Sequence, residues 1–208
     1  MAVVDAYQQF FKLLPKEKFF EFGLKHIISI DRDVSKNWWN LLKEDVNRKS
    51  TGLFVRSSGR NGSGNTVVKN LYKYVFGIDI NFDATNNAKP TKLLEYFTHL
   101  KKNKTIFNYQ VSHVFGQTKN VFCFTAPWNI VFIPKIVDPF TGHEAMGDYV
   151  DEFKKCFRKE IYSMYEDMIV EYNELMKIYR PKVKEWLDAK VGISNVQKYL
   201  KDFEDIIA

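Results

Sequence analysis

Cysteine is almost absent from this chain. Its 208 residues hold two, Cys123 and Cys156, and neither has a Cys or His partner at zinc-finger spacing. That excludes a structural zinc module and a disulfide framework, and it makes a reducing, cytoplasmic setting the expectation. Long apolar runs are missing too. No stretch reaches the ~18 residues that a membrane span needs, so no membrane partner is expected. Residues 1–20 lack a basic n-region and a small-residue cleavage site, and no signal peptide is read there. The glycine-rich stretch 56–66 is not closed by Gly-Lys-Ser or Gly-Lys-Thr, which excludes a Walker phosphate loop. No internal repeat is visible. Acids are scarce in the middle of the chain. Residues 47–120 hold twelve Lys or Arg against three acids, a balance of +9 that exceeds the +6 of the whole chain. Residues 144–180 reverse the sign, with nine acids against six bases. A one-sided basic half suits a polyanion such as nucleic acid.

The chain is 45% hydrophobic and 16% aromatic, enough for a sizeable core in one large domain. Helical spacing of apolar residues predicts a first helix through Tyr7, Phe10 and Phe11, ended by Pro15. A second runs from Phe19 to Ile28 and carries His26 on its apolar side, as a core histidine. A third carries Trp38, Trp39, Leu42 and Val46, capped by Asp33 or Ser35. Three glycines and small polar residues make 56–66 a loop, able to act as a mobile arm from which Arg56 and Arg60 reach phosphates. Helices then follow over 67–76 and 91–99, joined by a polar linker at 83–89. Beyond residue 143, Met146, Val150, Phe153, Phe157, Ile161, Met168, Tyr172 and Tyr179 predict one amphipathic helix of ~35 residues, halted by Pro181. Shorter helices around Trp186 and Tyr199 complete the chain.

Residues 109–146, YQVSHVFGQTKNVFCFTAPWNIVFIPKIVDPFTGHEAM, hold the pattern that suggests chemistry. A strand ends at His113. A turn at 116–120 and a short extended piece at 122–125 follow. Asn129 sits in a second turn, before the β-prone run Ile130 to Ile133. His143 stands at the mouth of the long helix. A neutral imidazole takes a proton from water near pH 7. It does so only if its other nitrogen is fixed by an acceptor, either the asparagine side chain or a backbone carbonyl that the asparagine places.

On Ser-His-Val and Trp-Asn-Ile-Val-Phe-Ile-Pro, this stretch resembles the ββα-metal fold of the HNH nuclease superfamily, closest to HNH-type restriction endonucleases. The resemblance implies a general base at His113, an orienting residue at Asn129 and a metal-binding histidine at His143. That family places Asp or His directly before the base. This chain has Ser112, a poor ligand for a hard divalent cation, so Asp138 or Glu144 would supply the carboxylate. The implied cofactor is a divalent metal ion, Mg²⁺ with Mn²⁺ as a substitute. The implied partner is double-stranded DNA, cut by a homodimer if the site is palindromic. Arg56, Arg60, Lys101, Lys102, Lys104 and Lys119 are the expected DNA contacts. The expected fold class is therefore α+β and mostly helical, with a small ββα-metal core inside a helical domain that has a long C-terminal helix. Along the chain this divides as 1–104 helical and basic, 105–160 nuclease core and 161–208 C-terminal helices, in one continuous domain. The alternative is a non-catalytic nucleic-acid-binding protein with a decayed HNH core, which Ser112 supports.

Overall fold

Apolar residues at three- and four-residue spacing wind most of the chain into helices. The computed structural model describes residues 4–59, 63–85, 87–142, 144–190 and 196–207. In order these form α1 (Ala6–Phe10), α2 (Lys16–Lys25), α3 (Arg32–Asn47), β1 (Phe54–Arg56), α4 (Ser63–Val75), β2 (Asn81–Asp83), α5 (Ala88–Thr98), β3 (Tyr109–His113), α6 (Val121–Phe124), β4 (Ile130–Pro134), α7 (Asp148–Met164) and α8 (Glu166–Asp188). Single 3-10 segments stand at Asp138–Phe140 and Val196–Phe203. The architecture is α+β and mostly helical, as the periodicity predicts.

Two small sheets interrupt the helices. β3 and β4 pair antiparallel, with Ser112 opposite Val131 and His113 opposite Ile130. β1 and β2 pair in parallel, with Arg56 beside Asp83, a pairing that three-residue strands left invisible in the sequence. Every residue of β4 is buried. Alternation sends Val131 and Ile133 into the main core, and Ile130 and Phe132 into a second cluster with Ile30, Leu94 and Val111. β4 is thus a wall shared by two cores. The main core draws on the whole chain, from Phe19 and Trp39 through Trp128 and Phe153 to Phe203. Packing is close at Gly23 of α2. A Cβ there would lie 2.8 Å from the Phe153 ring of α7.

Several local expectations are corrected. Asp31 caps α3 in place of Asp33 or Ser35, its carboxylate accepting from the N–H groups of Asp33 (2.9 Å) and Val34 (3.1 Å). The 56–66 stretch is not one loop, since Arg56 ends β1 and α4 begins at Ser63. Residues 83–89 are no simple linker: buried Asp83 accepts from the N–H groups of Thr85 and Lys89 and organises the start of α5. Residues 121–124 are helical where an extended piece was expected. His26 is exposed and tilted against Phe22, not a core residue. The ~35-residue helix is two helices, and the chain turns at Tyr165, whose φ of −126° leaves the helical region. Tyr165 is fully buried there, with its hydroxyl donating to the Ile30 carbonyl. Pro181 does not halt α8, which runs to Asp188 and buries Val183, Trp186 and Leu187 on one face. Among the described residues, no helix is long and apolar enough to cross a membrane.

Candidate functional site

β3 ends at His113, and a 16-residue connection returns the chain to β4. Asn129 closes that connection from inside. It is fully buried. Its Oδ1 accepts from the Phe115 N–H (2.8 Å), and its Nδ2 donates to the carbonyls of Gly116 (3.0 Å) and Cys123 (2.9 Å). These bonds tie the start of the loop to α6. Asn129 itself does not touch His113. The adjacent Phe124 carbonyl does, accepting from His113 Nε2 at 3.0 Å, while the Phe124 ring stacks on the imidazole at 12°. So the asparagine places the backbone that holds the histidine, the second of the two routes considered above.

The carbonyl can only accept, so Nε2 carries the proton and Nδ1 keeps its lone pair. Burial, with a smaller contribution from the nearby Arg56 charge, pushes the His113 pKa down to about 4 against the Phe124 bond and the Asp83 charge. The ring is neutral at pH 7, and part of it remains exposed.

A cleft of about 320 Å³ runs past His113. Gln110, Val111, Ser112 and His113 all line it although they alternate between faces of β3, because the cleft follows the strand edge that β4 leaves unpaired. Asp138, Thr141 and Glu144 border it on one side. Arg56, Lys154 and Arg158 bring three positive charges to its wall. None of these cations makes an ion pair among the described residues. Arg158 is half-buried. Its Nε donates to the Val114 carbonyl (3.2 Å), and burial lowers its pKa. A half-buried cation with no counter-ion of its own favours an anion in the cleft.

The carboxylates repel one another. Burial first, and then the Glu144 charge, raise the Asp138 carboxyl above its usual range, against a 2.6 Å bond from Gln110. Ser112 Oγ lies 3.3 Å from Thr141 Oγ1, which in turn donates to the Asp138 carbonyl (2.9 Å). The Asp138 and Glu144 carboxylates and the Ser112 and Thr141 hydroxyls are oxygen donors of the kind that a hard cation takes. No cluster of three His, Cys, Asp or Glu able to hold a metal ion occurs among the described residues. His143 and Arg60 lie outside the described residues.

The structure therefore gathers Ser112, His113, Asp138, Glu144 and Arg56 at one cleft. Lys101, Lys102 and Lys104 sit on the turn after α5, and none of them lines it. Lys119 lies beside it, and burial lowers its pKa to about 8. Sequence reading missed Lys154 and Arg158. Their i, i+4 spacing puts them on one face of α7, but the acidic balance of 144–180 hid them. It also missed the clasp behind the loop. Gln117 Nε2 donates to the Glu204 carbonyl (2.8 Å), Asn120 Nδ2 to the Asp202 carbonyl (2.9 Å), and the Lys119 N–H to the Asp202 carboxylate (2.9 Å). Asn173 of α8 holds the same segment through both backbone groups of Ile206.

A family model described as "Uncharacterised protein PM1201" matches residues 30–208. A curated relative, "Uncharacterized protein PM1201" of Pasteurella multocida (strain Pm70), is 42% identical over 196 residues, which cover 93% of this chain and 89% of the relative. No solved structure matches the chain.

Proposed function

The chain belongs to the PM1201 family, and we propose that it is a metal-dependent endonuclease that hydrolyses phosphodiester bonds in double-stranded DNA, in the manner of a type II restriction enzyme. One observation carries this reading. His113 has Nε2 committed to a backbone carbonyl and Nδ1 left with its lone pair, beside three cations that form no ion pair among the described residues. In the proposed reaction Arg56, Lys154 and Arg158 hold the phosphate. A water attacks phosphorus as His113 Nδ1 takes its proton, the P–O bond to the leaving sugar oxygen breaks, and that oxygen takes a proton from solvent. Negative charge in the cleft raises the His113 pKa from about 4 toward the working range, so the substrate helps to tune its own base. A divalent cation, Mg²⁺ with Mn²⁺ as substitute, would be held by Asp138 and Glu144, with His143 as a further ligand, and would neutralise charge on the phosphate and leaving oxygen. Duplex DNA in the cytoplasm, met by a homodimer, completes the proposal.

A second reading has one observation in its favour. Ser112 stands where the HNH pattern carries a ligand, and its hydroxyl is engaged with Thr141. That suits a protein that binds nucleic acid without cutting it. Supercoiled plasmid with Mg²⁺ or Mn²⁺ separates the two. Nicking by wild type, lost by at least 100-fold in His113→Ala with binding kept, supports the nuclease. Salt-sensitive binding without nicking supports the second reading, and full activity in His113→Ala removes His113 from the chemistry.

A further inference from the structure

Next to the cleft lies a second, open pocket of about 390 Å³. Arg56, Ser57, Ser58, Lys119, Lys198 and Tyr199 line it. Its three cations come from three separate segments: β1, the loop behind β3, and the 3-10 segment at Val196–Phe203. None of the three forms an ion pair among the described residues. Lys119 Nζ is fixed from below, donating to the Arg56 carbonyl (2.5 Å) and to Ser58 Oγ (2.8 Å). An ammonium group has three N–H donors, so one is left over. Asn65 shapes the floor, accepting from the Ser58 N–H (2.7 Å) and donating to Ser57 Oγ (3.0 Å). Lys198 is exposed and passes over the Tyr199 ring.

We infer that this pocket binds a phosphate group of the nucleic-acid strand, flanking the phosphate held beside His113. This rests on the proposed nuclease reading, and it adds a requirement: the substrate must carry a second phosphate. Three observations point this way. Cations converging from three segments match a tetrahedral anion, which offers oxygens in several directions, better than a planar carboxylate, which one arginine fork satisfies. Arg56 lines both the pocket and the cleft, so the two anion sites are neighbours along one path. The pocket is also under repulsion. After burial, Asp202 raises the Lys119 pKa, while the Arg56 and Lys198 charges each lower it, a repulsion that a bound anion relieves.

Two probes test the inference on the full chain. The first is duplex DNA, with affinity measured over a range of salt for wild type, Lys198→Ala and Lys119→Met. Each variant should lower the log–log salt slope by about one, the signature of one lost phosphate contact. Lys198 is exposed, so its variant stays folded even if Lys119→Met does not. The second probe is inorganic phosphate alone, titrated while the Lys119 ammonium is followed by NMR; its pKa should rise by at least one unit. Both effects together support the strand-phosphate site. A phosphate response with unchanged slopes overturns it in favour of a free phosphate compound, and no response to either probe overturns the pocket altogether. If slopes fall but plasmid is never nicked, the pocket stands and the nuclease reading fails. If plasmid is nicked with unchanged slopes, the reverse holds.

Discussion

Asn129 uses its acceptor and both donors on the backbone of its own loop. Removing the side chain leaves the buried Phe115 N–H without its partner, at about 1–3 kcal/mol before relaxation, while the Cys123 carbonyl keeps the Ala126 N–H and Gly116 stays within reach of solvent. Asn129→Ala should therefore lose about 1–3 kcal/mol of stability, read from its urea midpoint, as well as activity. A wild-type midpoint would show that the loop holds itself. His113 gives a pH signature. Its pKa falls from 6.5 in the unfolded chain to about 4 in the native state. Between those values the unfolded chain binds a proton that the native one refuses, so stability falls as pH drops from about 6.5 to about 4, by at most about 3 kcal/mol. Asp202, raised to about 6 by burial, works in the opposite direction between 3.8 and 6. The comparison is therefore between wild type and His113→Gln: the variant should lose less stability between pH 7 and pH 4.5, and equal losses would show that His113 is not buried as a neutral ring. Pattern and residue type sufficed to single out His113 and Asn129. The partners of Asn129 did not show, because they are backbone atoms.

At the scale of elements, α2 meets α7 where Gly23 faces Phe153. An alanine methyl at 2.8 Å must displace a packed ring, not a flexible chain end. Gly23→Ala should cost about 1–3 kcal/mol in thermal or urea unfolding; unchanged stability would mean that the two helices slide apart freely. Pro181 is the converse case. It is exposed inside α8, where proline costs about 3 kcal/mol in helix propensity and returns up to about 1 through a stiffer unfolded chain. Pro181→Ala should then stabilise the protein by about 2 kcal/mol, and a lower melting temperature would refute that account. These helices also show where periodicity stops being informative. The apolar stripe through 146–179 keeps its rhythm across the break at Tyr165, because both helices bury the same side. Nothing in spacing reports that Tyr165 turns inward to the Ile30 carbonyl.

Over the whole molecule, the main core runs from Phe19 to Ile206. Trp39 of α3 touches Trp128 of the candidate site, with ring centroids 5.6 Å apart. The divisions at 104 and 160 therefore do not mark separable cores. Tryptophan fluorescence and far-UV circular dichroism should report one coincident urea transition, and two separated transitions would show that the site folds apart from its helical surroundings. The helical, α+β character was legible because composition and spacing act over many residues. The parallel β1–β2 pair was not, since three residues carry too little pattern to register.

The clasp on the site loop has a consequence in time. Gln117, Lys119 and Asn120 complete their bonds on residues 202–204, more than eighty positions later in the chain. During synthesis at about 5–20 residues per second, the loop waits about 4–17 s for those partners to be made. A nascent chain still on the ribosome already carries every residue of the cleft, yet lacks the segment that braces it. The cleft is thus complete in sequence well before the bonds that brace its loop can form.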